Sequence, residues 1–329
     1  MADMIATRDA YGKALVEFGT ENEDIVVLDA DLAAATKTCI FAKAYPDRFF
    51  DCGIAENNMM GVAAGLALSG KIPFASTFAM FAAGRSFDQV RNSIGYPHAN
   101  VKIGATHGGI TVGEDGATHQ CNEDIAIMRT IPGMVIINPA DANEAIHATE
   151  AALLHNGPVY LRFGRYAVPN FTADIPDYKF ELGKGVKYTD GSDVTIVATG
   201  LMVAFAMEAY EQLKSEGINA RVVNIHTIKP IDRELLVESA KETGAVVTCE
   251  EHSIIGGLGS AVCEVLSEEC PVPVVRVGVR DEFGRTLYHL AHRWGWKEMK
   301  GLLHRHGGHI ICRKTMVNNR GIRQNQLER

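Results

Sequence analysis

Short β-branched and apolar runs alternate with longer amphipathic stretches along most of this chain, and no other feature limits its fold as much. Strand candidates fall at residues 25–28, 73–77, 101–105, 135–138 and 159–163. Helix candidates fall at 9–18, 57–68, 84–94, 123–130 and 142–154. Strands followed by helices predict parallel strands joined by crossovers, with both sheet faces covered. The pattern breaks over 167–190, where Pro169, Pro176, Gly183 and Gly185 mark a linker. It resumes with strand candidates at 194–198, 221–223, 246–249 and 274–277 and helix candidates at 203–214, 232–243 and from Leu258. The expectation is α/β: two doubly wound, mostly parallel-sheet domains at 1–166 and 191–329, joined by that linker. Residues 286–329 form an atypical basic tail of weak helical periodicity.

The chain of 329 residues, 47% hydrophobic, is long enough for two such cores. A net charge of −8 makes nucleic acid an unexpected partner. Residues 291–329 carry nine Lys/Arg against two Glu, so that segment is +7 and the remainder −15. A basic tail of this kind is more often a solvated face than a docking site. Seven cysteines without a C-x-x-C pair point to reduced thiols. The first residues lack the apolar core of a signal peptide, and no run reaches the roughly 20 apolar residues that span a bilayer. The expectation is a cytoplasmic protein that does not engage a membrane.

Three stretches carry possible chemistry. The first is GIAENNMMGVAAGLALSG, residues 53–70. Residues 59–68 are apolar or Gly on every side, which predicts a buried helix, and Gly61 and Gly65 would let another backbone come close. Glu56 stands at its head. Either it is a helix-start carboxylate favoured by the dipole, or it is a buried acid aimed at a ligand nitrogen, its proton held more tightly by desolvation. The second is THGGITVGEDGATHQ, residues 106–120, which follows a strand candidate and so sits where open α/β sheets bind ligands. Ordering a loop so rich in Gly, carboxylates and His is costly without a purpose. His107 and His119 are twelve apart, which is no recognised metal spacing, and the EF-hand positional pattern fails. No metal ligands are assigned to this chain. The third is STFAMFAAG, residues 76–84, where Phe78 and Phe81 are either plain core or a stacking surface for a heterocycle.

Together these stretches resemble transketolase, a thiamine-diphosphate enzyme. The resemblance rests on ATR (6–8), LDADL (28–32), PDRF (46–49), GIAENNM (53–59), STFAMF (76–81), ATHGGITVGEDGATHQ (105–120), PADANE (139–144) and TIKPID (227–232), and runs from about residue 5 to 285. GEDGATHQ and the Glu-bearing helix start are specific in combination. Full-length members also carry a G-D-G motif and a downstream Asn that hold Mg²⁺ and the cofactor diphosphate; no G-D-G occurs here. The resemblance therefore implies the carboxyl-terminal half of a split transketolase, with Mg²⁺ ligands on a separate diphosphate-binding subunit. It implies homodimer contacts within a heterotetramer and phosphorylated sugars as substrates.

By the same resemblance Glu56 hydrogen-bonds N1′ of the aminopyrimidine, and so favours the imino form of the 4′-amino group. Phe78 and Phe81 pack on that ring. Asp115 and His119 contact sugar hydroxyls. Arg8, His107 and Arg165 grip the sugar phosphate. One position departs from some relatives: Ala35 stands where they carry a phosphate-binding Ser, leaving Thr36 as a substitute or the grip altered. The second domain looks non-catalytic, and EEHSIIGGLGSAV (250–262) reads as a close-packed helix start. Related architectures stay open. These are a deoxyxylulose-phosphate-synthase-like half, a 2-oxo-acid dehydrogenase beta subunit, or a regulatory subunit that keeps the fold without the reaction.

Overall fold

The computed structural model describes residues 3–176 and 178–281. The atypical tail expected at 286–329 lies outside the described residues.

The first sheet has seven strands in the order Thr227–Lys229, Val135–Ile137, Val159–Arg162, Lys102–Thr106, Ile72–Phe78, Ile25–Asp29, Phe49–Asp51. Every pairing is parallel except that of the first strand. Alternate residues of one strand serve two cores, as the two-residue period of a strand requires. Ile25 and Val27 pack with the Thr7–Glu21 and Ala142–Leu154 helices. Val26 and Leu28 pack with Met59, Met60, Ala63 and Ala64 of the Glu56–Leu68 helix. The sheet is therefore covered on both faces, as a doubly wound fold demands. The second sheet runs Val274–Val279, Val246–Ser253, Val194–Ala198, Ala220–Asn224, Val186–Lys187, parallel but for the last pair. Both domains thus have the predicted class.

Four features differ from the sequence expectations. The Glu56–Leu68 helix is not buried all round: Asn57, Asn58, Val62, Gly65 and Leu68 are exposed. Its residues are small and apolar on the outer side as well, so hydropathy alone could not separate core from surface. The helix expected at 84–94 is broken into π-helical turns, Phe81–Arg85 and Val90–Gly95, around a short α-helical turn at Phe87–Gln89. Wide turns of this type cluster at functional sites. The 167–190 segment is no free tether. Ala167–Pro169 pairs with Met4–Ala6, and Val186–Lys187 joins the second sheet. Finally, Thr227–Lys229 leaves the second domain and pairs antiparallel with Val135–Ile137.

That excursion fuses the two units. One core cluster runs continuously from Leu28 and Ile103 to Val197, Val223, Leu236 and Leu258. Polar contacts reinforce it. Glu144, fully buried, accepts from Ala140 N, from the Tyr178 hydroxyl and from Asn224 Nδ2. Asp141 caps the Ala142–Leu154 helix through Glu144 N and also accepts from Thr172 N and Oγ1. A cap carboxylate of this kind stabilises by about 1 kcal/mol, and here it also fixes the start of the connecting segment.

Candidate active site

The residues singled out in the sequence meet at the carboxyl edge of the first sheet, where successive strands end. Phe78 closes the Ile72–Phe78 strand, and His107 follows Lys102–Thr106. Arg165 follows Val159–Arg162, and Glu56 opens the helix after Phe49–Asp51. Arg8 sits in the first turn after Met4–Ala6.

Glu56 is 1% exposed, and its two carboxylate oxygens each lie 2.8 Å from Arg85 Nη1. It does not cap its own helix, whose N-terminus has no side-chain cap. It is nonetheless the acidic residue of the helix's first turn, so the helix-start reading holds alongside the pairing with Arg85. Arg85 is 48% exposed, and its guanidinium lies 4.3 Å over the Phe81 ring. Phe81 stacks on Phe78 with centroids 5.8 Å apart. His119 stands edge-on to both rings, at 6.0 and 5.4 Å. A flat N–H donor thus already lies against an aromatic face and reaches the buried carboxylate. A planar heterocycle with a protonated ring nitrogen meets the same two demands, so these residues fit an aminopyrimidine. Sequence reasoning missed Arg85. Its signal was there: it is the sole charged residue between Lys71 and Asp88.

The far side of Phe78 meets His107, with centroids 3.9 Å apart. His107 Nε2 is 2.9 Å from Arg8 Nη1, and its Nδ1 is 3.0 Å from Thr106 Oγ1. Arginine only donates, so Nε2 is the acceptor and Nδ1 carries the proton. Burial, and then the positive charge of Arg8, push the His107 pKa down to about 3. With its Nδ1 protonated and its Nε2 accepting, His107 is a neutral ring that orients Arg8. The linkage sign follows. A folded-state pKa below the unfolded value of roughly 6.5 gives stability that is present above that value and is lost as pH falls toward 3. The His107 Cε1–H resonance is expected to hold its position from pH 8 down to 5, and a midpoint near 6.5 would contradict the assignment.

Arg8 Nη1 also donates to Ala35 O at 3.0 Å, while its buried Nε has no hydrogen-bond partner among the described residues. Burial lowers the Arg8 pKa against the pull of Asp9, and the charge of Arg165 lowers it further, so the two guanidiniums share one neighbourhood. Asp29, fully buried, accepts from Leu32 N, Thr36 Oγ1 and Thr38 Oγ1 and so folds the turn that aims the Ala35 carbonyl at Arg8. Thr36 is therefore no substitute for a phosphate-binding Ser at 35, because its buried hydroxyl is committed to Asp29.

The 106–120 loop closes over this edge. Its base is a bridge between Gly109 and Cys121. Gly113 has φ +79°, and a Cβ there would run into the Arg165 guanidinium, so only glycine lets the loop rest on that residue. Arg165 also pairs with Glu114 at 3.0 Å. Asp115 is exposed, and His119 Nδ1 is 2.9 Å from Thr118 Oγ1. Among the described residues no group of three or more His, Cys, Asp or Glu is placed to hold a metal ion. Among them, too, no helix is long and apolar enough to cross a membrane.

The chain as a whole has known relatives. The family described as "Transketolase, pyrimidine binding domain" matches residues 3–170, and "Transketolase, C-terminal domain" matches residues 183–294. The chain is 51% identical over 280 residues to a putative transketolase C-terminal section of Methanocaldococcus jannaschii, covering 85% of this chain and 88% of that protein. It is 50% identical over 279 residues to a 6-deoxy-6-sulfo-D-fructose transketolase subunit of a Clostridium species, covering 85% and 86%. Its fold superposes on a split-gene transketolase, solved as an inactive beta4 tetramer, with a TM-score of 0.80 and 56% identity over 95% of this chain and 98% of that one. The chain belongs to the transketolase family: it is a transketolase C-terminal section, a pyrimidine-binding domain followed by a C-terminal domain.

Proposed function

We propose that this chain is one half of a two-subunit transketolase that moves a two-carbon ketol unit from a ketose phosphate to an aldose phosphate with thiamine diphosphate. The supporting observation is the continuous arc Glu56–Arg85–Phe81–Phe78–His107–Arg8, with His119 on its rim. It joins a buried carboxylate, an aromatic wall and an anion-seeking arginine within one strand edge. Thiamine diphosphate, when bound, supplies the carbon nucleophile for the transfer. This chain supplies placement and proton control. Glu56 holds a proton against the pyrimidine ring nitrogen. Phe78 and Phe81 keep water from that ring. Asp115 and His119, on the loop, take the sugar hydroxyls, while Arg8 and Arg165 hold the substrate anion, with neutral His107 fixing Arg8.

The diphosphate and its Mg²⁺ belong, in this reading, to a separate subunit that carries the G-D-G motif, in a cytoplasmic heterotetramer. Two observations support assembly. The outer face of the Glu56–Leu68 helix is open: among the described residues nothing lies within 4 Å of a Cβ built on Gly61 or Gly65, and Val62 and Leu68 are exposed. The split-gene relative, moreover, is described as an inactive beta4 tetramer.

The test is reconstitution. This chain, a diphosphate-binding subunit, thiamine diphosphate and Mg²⁺ are mixed and assayed for glycolaldehyde transfer from a ketose phosphate. Activity that needs both chains is expected. Use of pyruvate in place of the ketose, or full activity of this chain alone, would refute the reading.

A further inference from the structure

We propose that Glu251, on the second domain, is a positioning residue that holds the 106–120 loop of the first domain in its ligand-facing shape. The proposal rests on the reading of that loop as substrate-facing. Glu251 is 4% exposed, and its Oε1 accepts from both Ile110 N and Thr111 N at 2.7 Å. These amides lie four and five residues before Asp115. Charge-assisted bonds of a carboxylate to backbone N–H are among the stronger kind.

The contact is built for that carboxylate. Gly109 has φ +86°, and a Cβ there would overlap the Glu251 carboxyl group. The same strand also grips the other stem of the loop: Ser253 N donates to Asn122 O at 2.7 Å. Arg162 Nη2 then ties Cys121 O to Glu251 O, at 3.2 and 3.0 Å. Both stems are thus fastened to Val246–Ser253, and the tip between them carries Asp115 and His119. Glu144, another buried acid that joins the domains, anchors a helix start instead.

The experiment compares Glu251→Gln, Glu251→Asp and Glu251→Ala in the complete two-subunit enzyme. Hydrogen exchange is read on peptides covering 107–121, alongside KM for both sugars and affinity for thiamine diphosphate. Glutamine keeps an acceptor oxygen at the same reach and loses only the charge, so it is expected to show the smallest rise of the three in loop exchange and sugar KM. Aspartate keeps the charge but withdraws it by one methylene, so loop exchange and sugar KM rise. Alanine raises both further, with sugar kcat/KM falling about 10²-fold, the scale of a 1 Å misplacement. Cofactor affinity and the exchange of Val135–Ile137 stay unchanged in all three. The proposal is overturned if aspartate matches wild type in loop exchange, or if glutamine behaves as alanine does. Should the ordered exchange response hold in a protein without ketol transfer, the loop anchor stands and the proposed activity falls, so the two failures are distinct.

Discussion

Glu56→Gln in the complete enzyme is expected to lower turnover by about 10²–10⁴-fold, the range of a positioned acid–base group. In free energy that is about 3–5 kcal/mol of barrier. Gln matches the shape of Glu, so Phe78 and Phe81 keep their stacking and the helix keeps its start. The amide does not exchange a proton with a ring nitrogen, and this single loss carries the effect. Arg85 loses its partner but is half exposed, so water takes over its N–H groups and folding stability changes little. Sugar KM should move little as well, because Arg8, Arg165 and the loop are untouched. Turnover retained within one order of magnitude, with normal thiamine-diphosphate affinity, would remove Glu56 from the chemistry.

The largest effect on stability is expected from Arg162→Leu. Arg162 and Asp124 are both buried, with Nε–Oδ2 at 2.8 Å. Burial alone would raise the Asp124 pKa, but Arg162 outweighs it and holds the carboxyl below the usual range. The Tyr160 hydroxyl donates to the same oxygen at 2.9 Å. Removing the guanidinium strands a buried carboxylate and releases the carbonyls of Cys121 and Glu251. Breaking a buried pair in this way costs about 3–5 kcal/mol. A double variant that also changes Asp124 to Leu should recover much of the loss, since the Asp124 carboxylate is then no longer stranded. Urea denaturation of the three variants reads both effects. A single variant within about 1 kcal/mol of wild type would mean that the pair is silent, as only exposed pairs usually are.

The doubly wound class was legible because strand periodicity survives in short runs such as 25–28, whose alternate residues feed two cores. The Glu56 helix start and the 106–120 loop were legible because carboxylates, His and Gly are unusual company for an apolar sheet edge. Arg85 showed only as a lone charge in an apolar stretch; its pairing with Glu56, 29 residues away, was not legible. Nor was the neutrality of His107, which follows from burial and from an arginine 99 residues away in sequence.

Most strands and helices, the α/β class and the candidate site residues other than Arg85 could be read from the sequence. Each of these depends on residue type and near-neighbour spacing. The tertiary structure alone decided which partners those side chains meet. It gave Glu56 to Arg85, committed Thr36 to Asp29, and carried Thr227–Lys229 back into the first sheet. It also laid Glu251 against a loop about 140 residues away. The physical reason is that charge state and hydrogen-bond choice depend on what burial removes from water, and burial is set by contacts between segments remote in the chain.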